Sequence, residues 1–382
     1  MSKKRIIIIV SIVLILVVIG FSVYYFFFKK PSLGVTPEEG GEITQIDSGG
    51  GTTAQKDSPL KKISDTASVS PVLNEDGTKV IYAGKSGGIF EVAFNGSRVK
   101  ETSFVPQPNL LQLFWSKQRT TFIALYHVLQ EKKFFYNDLA EKKIDQLNKN
   151  VVMRTIALSP FDNKIAYLST DDTRQMYTIV VADMQGGNAS TVLHTRLRDI
   201  HLTWVNSNEI AVSTIPSGLI PSTLWILNTT SGRLRSVMSD VSGLTTKWNA
   251  EGSAFLFSTS GGSGKILSLS LTNKIGTEVK KGTVQTLPEK CVFMRNEKSV
   301  ICAVPHNTQD MIWPDDYYKG IYNTNESIQL IDFETQKQKT LYTFNEKDHI
   351  NATHLLLSPK EDALIFLNKS DSILYTLSLQ NK

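Results

Sequence analysis

Residues 302–322, CAVPHNTQDMIWPDDYYKGIY, gather Trp313, Tyr317, Tyr318 and Tyr322 around the acid pair Asp315-Asp316. These types suit recognition, because aromatic rings offer large, stiff contact area with polar tips and carboxylates add directional acceptors. Pro314 restricts the backbone between them. A carboxylate pair also suits Ca²⁺ binding or general acid and base chemistry, and a second pair stands at Asp171-Asp172. Neither pair belongs to a D-x-D-x-D-G run, so both read more simply as solvated loop acids.

Other patterns lose their chemistry once their context is considered. Gly84-Lys85-Ser86-Gly87-Gly88 matches G-x-S-x-G, but a nucleophile elbow needs a strand before it and a helix after it, and here strands flank both sides. Gly261 to Lys265 spells GGSGK, yet Ile266 stands where Ser or Thr would hold Mg²⁺. Both are hairpin turns. The His residues (127, 194, 201, 306, 349 and 354) show no H-E-x-x-H or H-x-H spacing, so no metal site and no cofactor is assigned.

The elements that must carry these residues repeat. Seven copies of a polar turn followed by a β-rich strand begin at Asn74, Ser116, Ser159, Val205, Asn249, Met294 and Ser358, spaced by 42, 43, 46, 44, 45 and 64 residues. A short apolar stretch precedes most copies, and a third strand such as GGIFEVAF or YTIVVADM follows about ten to fifteen residues later. Fourth strands are fainter, with candidates at 99–104, 191–197, 233–238 and 337–344. Four antiparallel strands recurring at this period predict an all-β, seven-bladed β-propeller over residues 60–382. The last copy has no room for a fourth strand, so Leu60 to Ile63 is expected to fill that place and close the ring.

The phrases SPFDNKIAYL (from Ser159) and NEDGTKVIY (from Asn74) resemble the S-P-D-G-x-x-I-A-F repeat of WD40-like propellers of the TolB type. The resemblance implies the propeller fold and a place among envelope adaptors, peptidase-associated domains or sensors. Only Ser159-Pro160 and Ser358-Pro359 keep the Ser-Pro, and the second, fourth and sixth copies lack the Asp-Gly turn.

In this frame residues 305–325 join the second and third strands of blade six, and their excess of roughly 20 residues accounts for the spacing of 64. Second-to-third connections of all blades emerge on one face, so the insert should share it with SGLIPS (217–222) and Asp171-Asp172. Trp313, Asp315, Asp316, Tyr317, Tyr318 and Tyr322 are therefore the candidate binding residues. The alternative is an insert that folds its aromatics down as a plug over the channel. Within the same blade, a two-residue turn at Asn296-Glu297 would set Cys291 opposite Cys302, and a disulfide is expected there.

Upstream, Ile6 to Phe28 form an apolar run of 23 residues without a charge, long enough to span a bilayer as a helix. It continues past Val18-Ile19-Gly20, a poor cleavage site, and so reads as an anchor. Lys3, Lys4 and Arg5 on the near side outweigh Lys29 and Lys30, placing residues 1–5 in the cytoplasm and the body outside. Residues 29–59, rich in Gly, Ser, Thr and acids, form a flexible linker with a root-mean-square reach of roughly 30 Å. Those five cations equal the whole net charge of +5, so the remaining chain sums to about zero and offers no cationic footprint of a nucleic-acid binder. The expected protein is a propeller tethered at the cytoplasmic membrane, acting without catalysis as a binding or scaffold module for a protein, peptide or glycan. The alternative is a hydrolase or lyase with a cross-blade active site on the propeller face.

Overall fold

The computed structural model describes residues 58–85, 88–102, 109–129, 131–171, 176–306, 308, 310–321 and 325–379. The apolar run 6–28 lies outside them, as does the segment expected to be a linker up to residue 57. Among the described residues no helix is long and apolar enough to cross a membrane.

The repeat forms the expected architecture: seven four-stranded antiparallel sheets arranged as a β-propeller. Blade seven is composite. Ala352–Leu357, Ala363–Asn368 and Ile373–Ser378 supply three strands, and Leu60–Lys62 supplies the fourth by pairing Leu60 with Leu377 and Lys62 with Tyr375. Closure thus joins the two ends of the body and leaves no open seam.

Each sheet is covered on both faces, which explains why the second and third strands are nearly continuous apolar runs with no polar alternation. In Lys164–Asp171 of blade three, Ile165 and Tyr167 pack against Ile123 and Tyr136 of blade two, while Ala166 and Leu168 pack against Leu202 and Ile210 of blade four. Seven such clusters mark the seven blade interfaces, the last of them uniting Ile63, Val80 and Tyr82 with Ile365 and Leu374 across the closure. Two first-strand tryptophans add directional ties, since Trp115 Nε1 donates to the Ser70 carbonyl at 2.9 Å and Trp204 Nε1 to that of Ala157 at 3.2 Å, each in the preceding blade.

The turn that opens each repeat has a definite geometry. In five copies, starting at Asn74, Ser116, Asn249, Met294 and Ser358, the fourth residue donates its N–H back to the first carbonyl and takes a left-handed φ of 71°, 60°, 66°, 54° and 58° respectively. Glycine suits that position best, which is the reason for the Asp-Gly phrase. Arg119, Glu297 and Glu361 adopt it without glycine at a cost of about 1–2 kcal/mol each. Gly252 has a further constraint, because a Cβ there would lie 1.9 Å from the Val205 carbonyl oxygen of the previous blade.

The hairpin from Cys291–Phe293 to Ser299–Pro305 shows the same turn. Met294 and Ser299 close a loop of Arg295 to Lys298, so the connection is four residues long rather than the two expected, while the register is the one anticipated. Cys291 faces Cys302 and the two are joined as a disulfide.

The faces of the ring can be told apart by these turns. The Pro59 carbonyl accepts from Ser378 N–H, and Leu379 N–H donates to Asp362 in the first turn of blade seven. The chain therefore comes into the propeller on the face of the first-to-second-strand turns. The second-to-third-strand connections, including the insert of blade six, lie on the opposite face.

Candidate functional site

The insert is a strap fastened to three other blades. Asp315 opens a five-residue helix, Asp315–Lys319, and its carboxylate accepts from Ser217 Oγ at 2.9 Å and Gly218 N–H at 2.7 Å in the blade-four loop. Trp313 N–H donates to the Gly264 carbonyl of blade five at 2.8 Å. Lys369 of blade seven donates from Nζ to the Tyr317 carbonyl at 2.7 Å. Gly218 must be glycine for this docking, since a Cβ would lie 2.3 Å from the Trp313 carbonyl oxygen. Asp316 serves the insert itself, accepting from Ile312 N–H at 2.8 Å.

The expected contact residues are thereby divided. Trp313 (0 % exposed) and Tyr317 (2 %) are buried with Met311, Leu267 and Leu287, so they do not form the exposed aromatic surface anticipated for them. Once the strap is pinned through the Asp315 carboxylate and the Tyr317 carbonyl, its apolar rings leave water against Leu267 and Leu287. Asp315 and Asp316 are spent on loop and helix geometry. Tyr318 remains exposed at 46 %, beside Ile321, and the blade-four loop to which the strap is fastened exposes Leu219 and Ile220. Tyr322 and Asp172 lie outside the described residues.

Beneath the strap is a charged cluster that sequence reasoning missed. Lys290 and Glu326, both fully buried, pair at 2.7 Å, and Lys290 Nζ also donates to Asn351 Oδ1 at 2.9 Å and the Ala352 carbonyl at 2.7 Å. The Tyr317 ring lies 3.8 Å from Lys369 Nζ and 5.2 Å from Lys290 Nζ, an arrangement that favours both cations. Tyr318 OH donates to Glu289 at 2.8 Å. Burial pushes the Glu289 carboxyl up, against the pull of the Tyr318 hydroxyl and of Lys290, Lys369 and Lys247. These groups come from blades five, six and seven, and no local pattern in the sequence marks them.

Lys247, on the first strand of blade five, donates to the Cys291 carbonyl at 2.5 Å. Burial lowers its pKa from 10.5 to about 8, with Glu289 opposing the shift. Between those two values the unfolded chain keeps a proton that the folded chain has released, so this group's contribution to stability rises with pH across the window. Urea midpoints taken at the two ends of it should show the wild type gaining on Lys247→Met as the pH is raised. An unchanged difference between the two proteins would mean that the amine titrates as it does in water.

A separate cavity of about 600 Å³ opens on the same face over blades two to four. Its wall includes Lys132, Lys133, Lys149, Arg154, Arg198 and His201. Among the described residues no group of three or more His, Cys, Asp or Glu side chains is placed to hold a metal ion.

No protein-family model matches this chain, and no curated protein matches it. Solved structures do. The chain is similar to an oligogalacturonate lyase in complex with manganese (TM-score 0.63, 12% identity, covering 84% of this chain and 93% of that one) and to the oligogalacturonate lyase of Vibrio parahaemolyticus (0.61, 10%, 84% and 94%). It is similar also to the Cps50 (Swd1) β-propeller domain of Myceliophteria thermophila (0.55, 11%, 84% and 99%). At such identities the likeness is one of fold.

Proposed function

We propose that this protein is a membrane-tethered binding module whose insert-bearing face receives a protein, peptide or glycan outside the cytoplasmic membrane. The observation that carries the proposal is the placement of both features on one face, opposite the point where the linker joins the propeller. Exposed Tyr318, Ile321, Leu219 and Ile220 give that face the apolar contacts of an interaction surface. The Cys291–Cys302 disulfide supports an oxidising compartment for the body. Protease added to intact cells should cut the linker and release a propeller whose non-reduced peptides contain this bond. A body fully protected from protease, with both thiols free, would overturn the placement.

A second reading is an enzyme acting on that face. Lys247 acts electrostatically on both Glu289 and His354, and groups with perturbed protonation are candidates for acid and base chemistry. Turnover of oligogalacturonate by the purified chain, lost in Lys247→Met, would favour it.

A further inference from the structure

We propose that the cavity over blades two to four binds an extended acidic peptide segment of a partner protein, with apolar residues between its carboxylates. This rests on reading the insert-bearing face as the binding face. Three connections build the cavity: the hairpin at Glu131 to Lys133, the crossing from Gln146 to Met153 between blades two and three, and the crossing at Arg198 to His201 between blades three and four.

Charge selects the ligand's sign. The wall holds five Lys and Arg side chains and only two carboxylates, and those two are already engaged, Glu131 with Lys133 at 2.6 Å and Asp199 with Arg154 at 3.4 Å and Arg198 at 3.8 Å. Lys132 and Lys149 are exposed and have no ion-pair partner among the described residues. Residues 60–382 hold 35 Lys and Arg against 31 Asp and Glu, a net charge of +4, and the cavity wall alone supplies +3 of it, so the accumulation is local. His201 sits at the channel end of the wall, where desolvation and the Lys132 charge lower its pKa, and a neutral imidazole there can hydrogen-bond without adding to the repulsion.

The apolar part of the wall selects the ligand's class. Val151, Val152 and Ile215 line the cavity and are exposed at 40 %, 54 % and 49 %, whereas Phe134, the one Phe, Tyr or Trp of the lining, is buried with 3 % exposed. Aliphatic side chains at the opening accept aliphatic side chains of a peptide. A sugar ring would be better served by an aromatic platform.

The test uses the full chain in detergent micelles and short fluorescent peptides alternating Glu with Val, with their Gln-for-Glu counterparts and a labelled polyuronate oligomer as comparisons. The Glu peptide should bind, the Gln peptide should bind at least about tenfold more weakly, and binding should fall steeply as salt shortens the screening length from about 10 Å at 0.1 M to about 3 Å at 1 M. Lys132→Gln, Lys149→Gln and Arg198→Gln combined should weaken the Glu peptide by about tenfold while leaving the unfolding midpoint in place, because all three side chains are exposed. Equal binding by the triple variant, or tighter binding of the polyuronate than of the peptide, would overturn the proposal. If no probe binds yet a native partner still crosslinks to this face, the peptide assignment fails and the binding face stands.

Discussion

Glu326→Gln should destabilise the propeller by about 3–5 kcal/mol, because it leaves the Lys290 ammonium buried without its counter-charge. Both side chains are inaccessible to solvent and pair at 2.7 Å. Lys290 would keep the Asn351 amide oxygen and the Ala352 carbonyl, which solvate a cation only in part. Lys290→Met should cost a similar amount by removing the buried cation that pairs with the Glu326 carboxylate, which would keep its bond from the Ala352 N–H. The double variant should cost clearly less than the two single changes added together, since each removes the charge that made the other expensive. Urea unfolding of the three variants measures this. Single changes below about 1 kcal/mol would show that water reaches the pair.

Trp313→Ala should release the strap. The indole is fully buried and stacks with Tyr317, their ring centroids 6.1 Å apart, so truncation creates a cavity costing about 3–5 kcal/mol. Much of that loss should appear as local opening, because the insert joins two strands whose own ladder, Ser299–Pro305 against Glu326–Asp332, does not include it. Limited proteolysis should then cut within residues 306–325 in Trp313→Ala and not in the wild type. Trp313→Phe should be far milder: it keeps most of the ring volume and removes an indole Nε1 that has no hydrogen-bond partner in its buried site. An uncut Trp313→Ala with wild-type stability would return Trp313 to the role of an exposed contact residue, which its burial argues against.

The architecture was legible because a closed ring of sheets imposes one phrase seven times: a polar turn, left-handed in five copies, then a strand apolar on both faces. Met294 to Ser299 kept its register through a longer turn than expected, since adding one residue on each side of a hairpin's centre preserves the pairing of Cys291 with Cys302. Fourth strands were harder to see. Lys143–Gln146 and Lys280–Lys281 are short and almost wholly polar, as outer strands facing solvent are allowed to be. The insert stood out as a break in period, but its composition alone fitted either an exposed contact surface or a buried plug. Burial of Trp313 and Tyr317 depends on anchors at Gly218, Gly264 and Lys369, each contributed by a different blade. The same reason hid Lys290, Glu326 and the cationic wall of the cavity: residues from three blades meet there, and no local spacing records a contact across blades.

The account turns on which face of the ring meets the partner. A photoactivatable residue placed at Lys149 or at Tyr318, both exposed on the insert-bearing face, can be compared in native membranes with one at Lys360, exposed on the face where Pro59 enters the ring. Adducts of a discrete additional mass should form from Lys149 and Tyr318 and not from Lys360. Adducts from Lys360 with none from the other two positions would put the partner on the face of the first-to-second-strand turns and contradict the account.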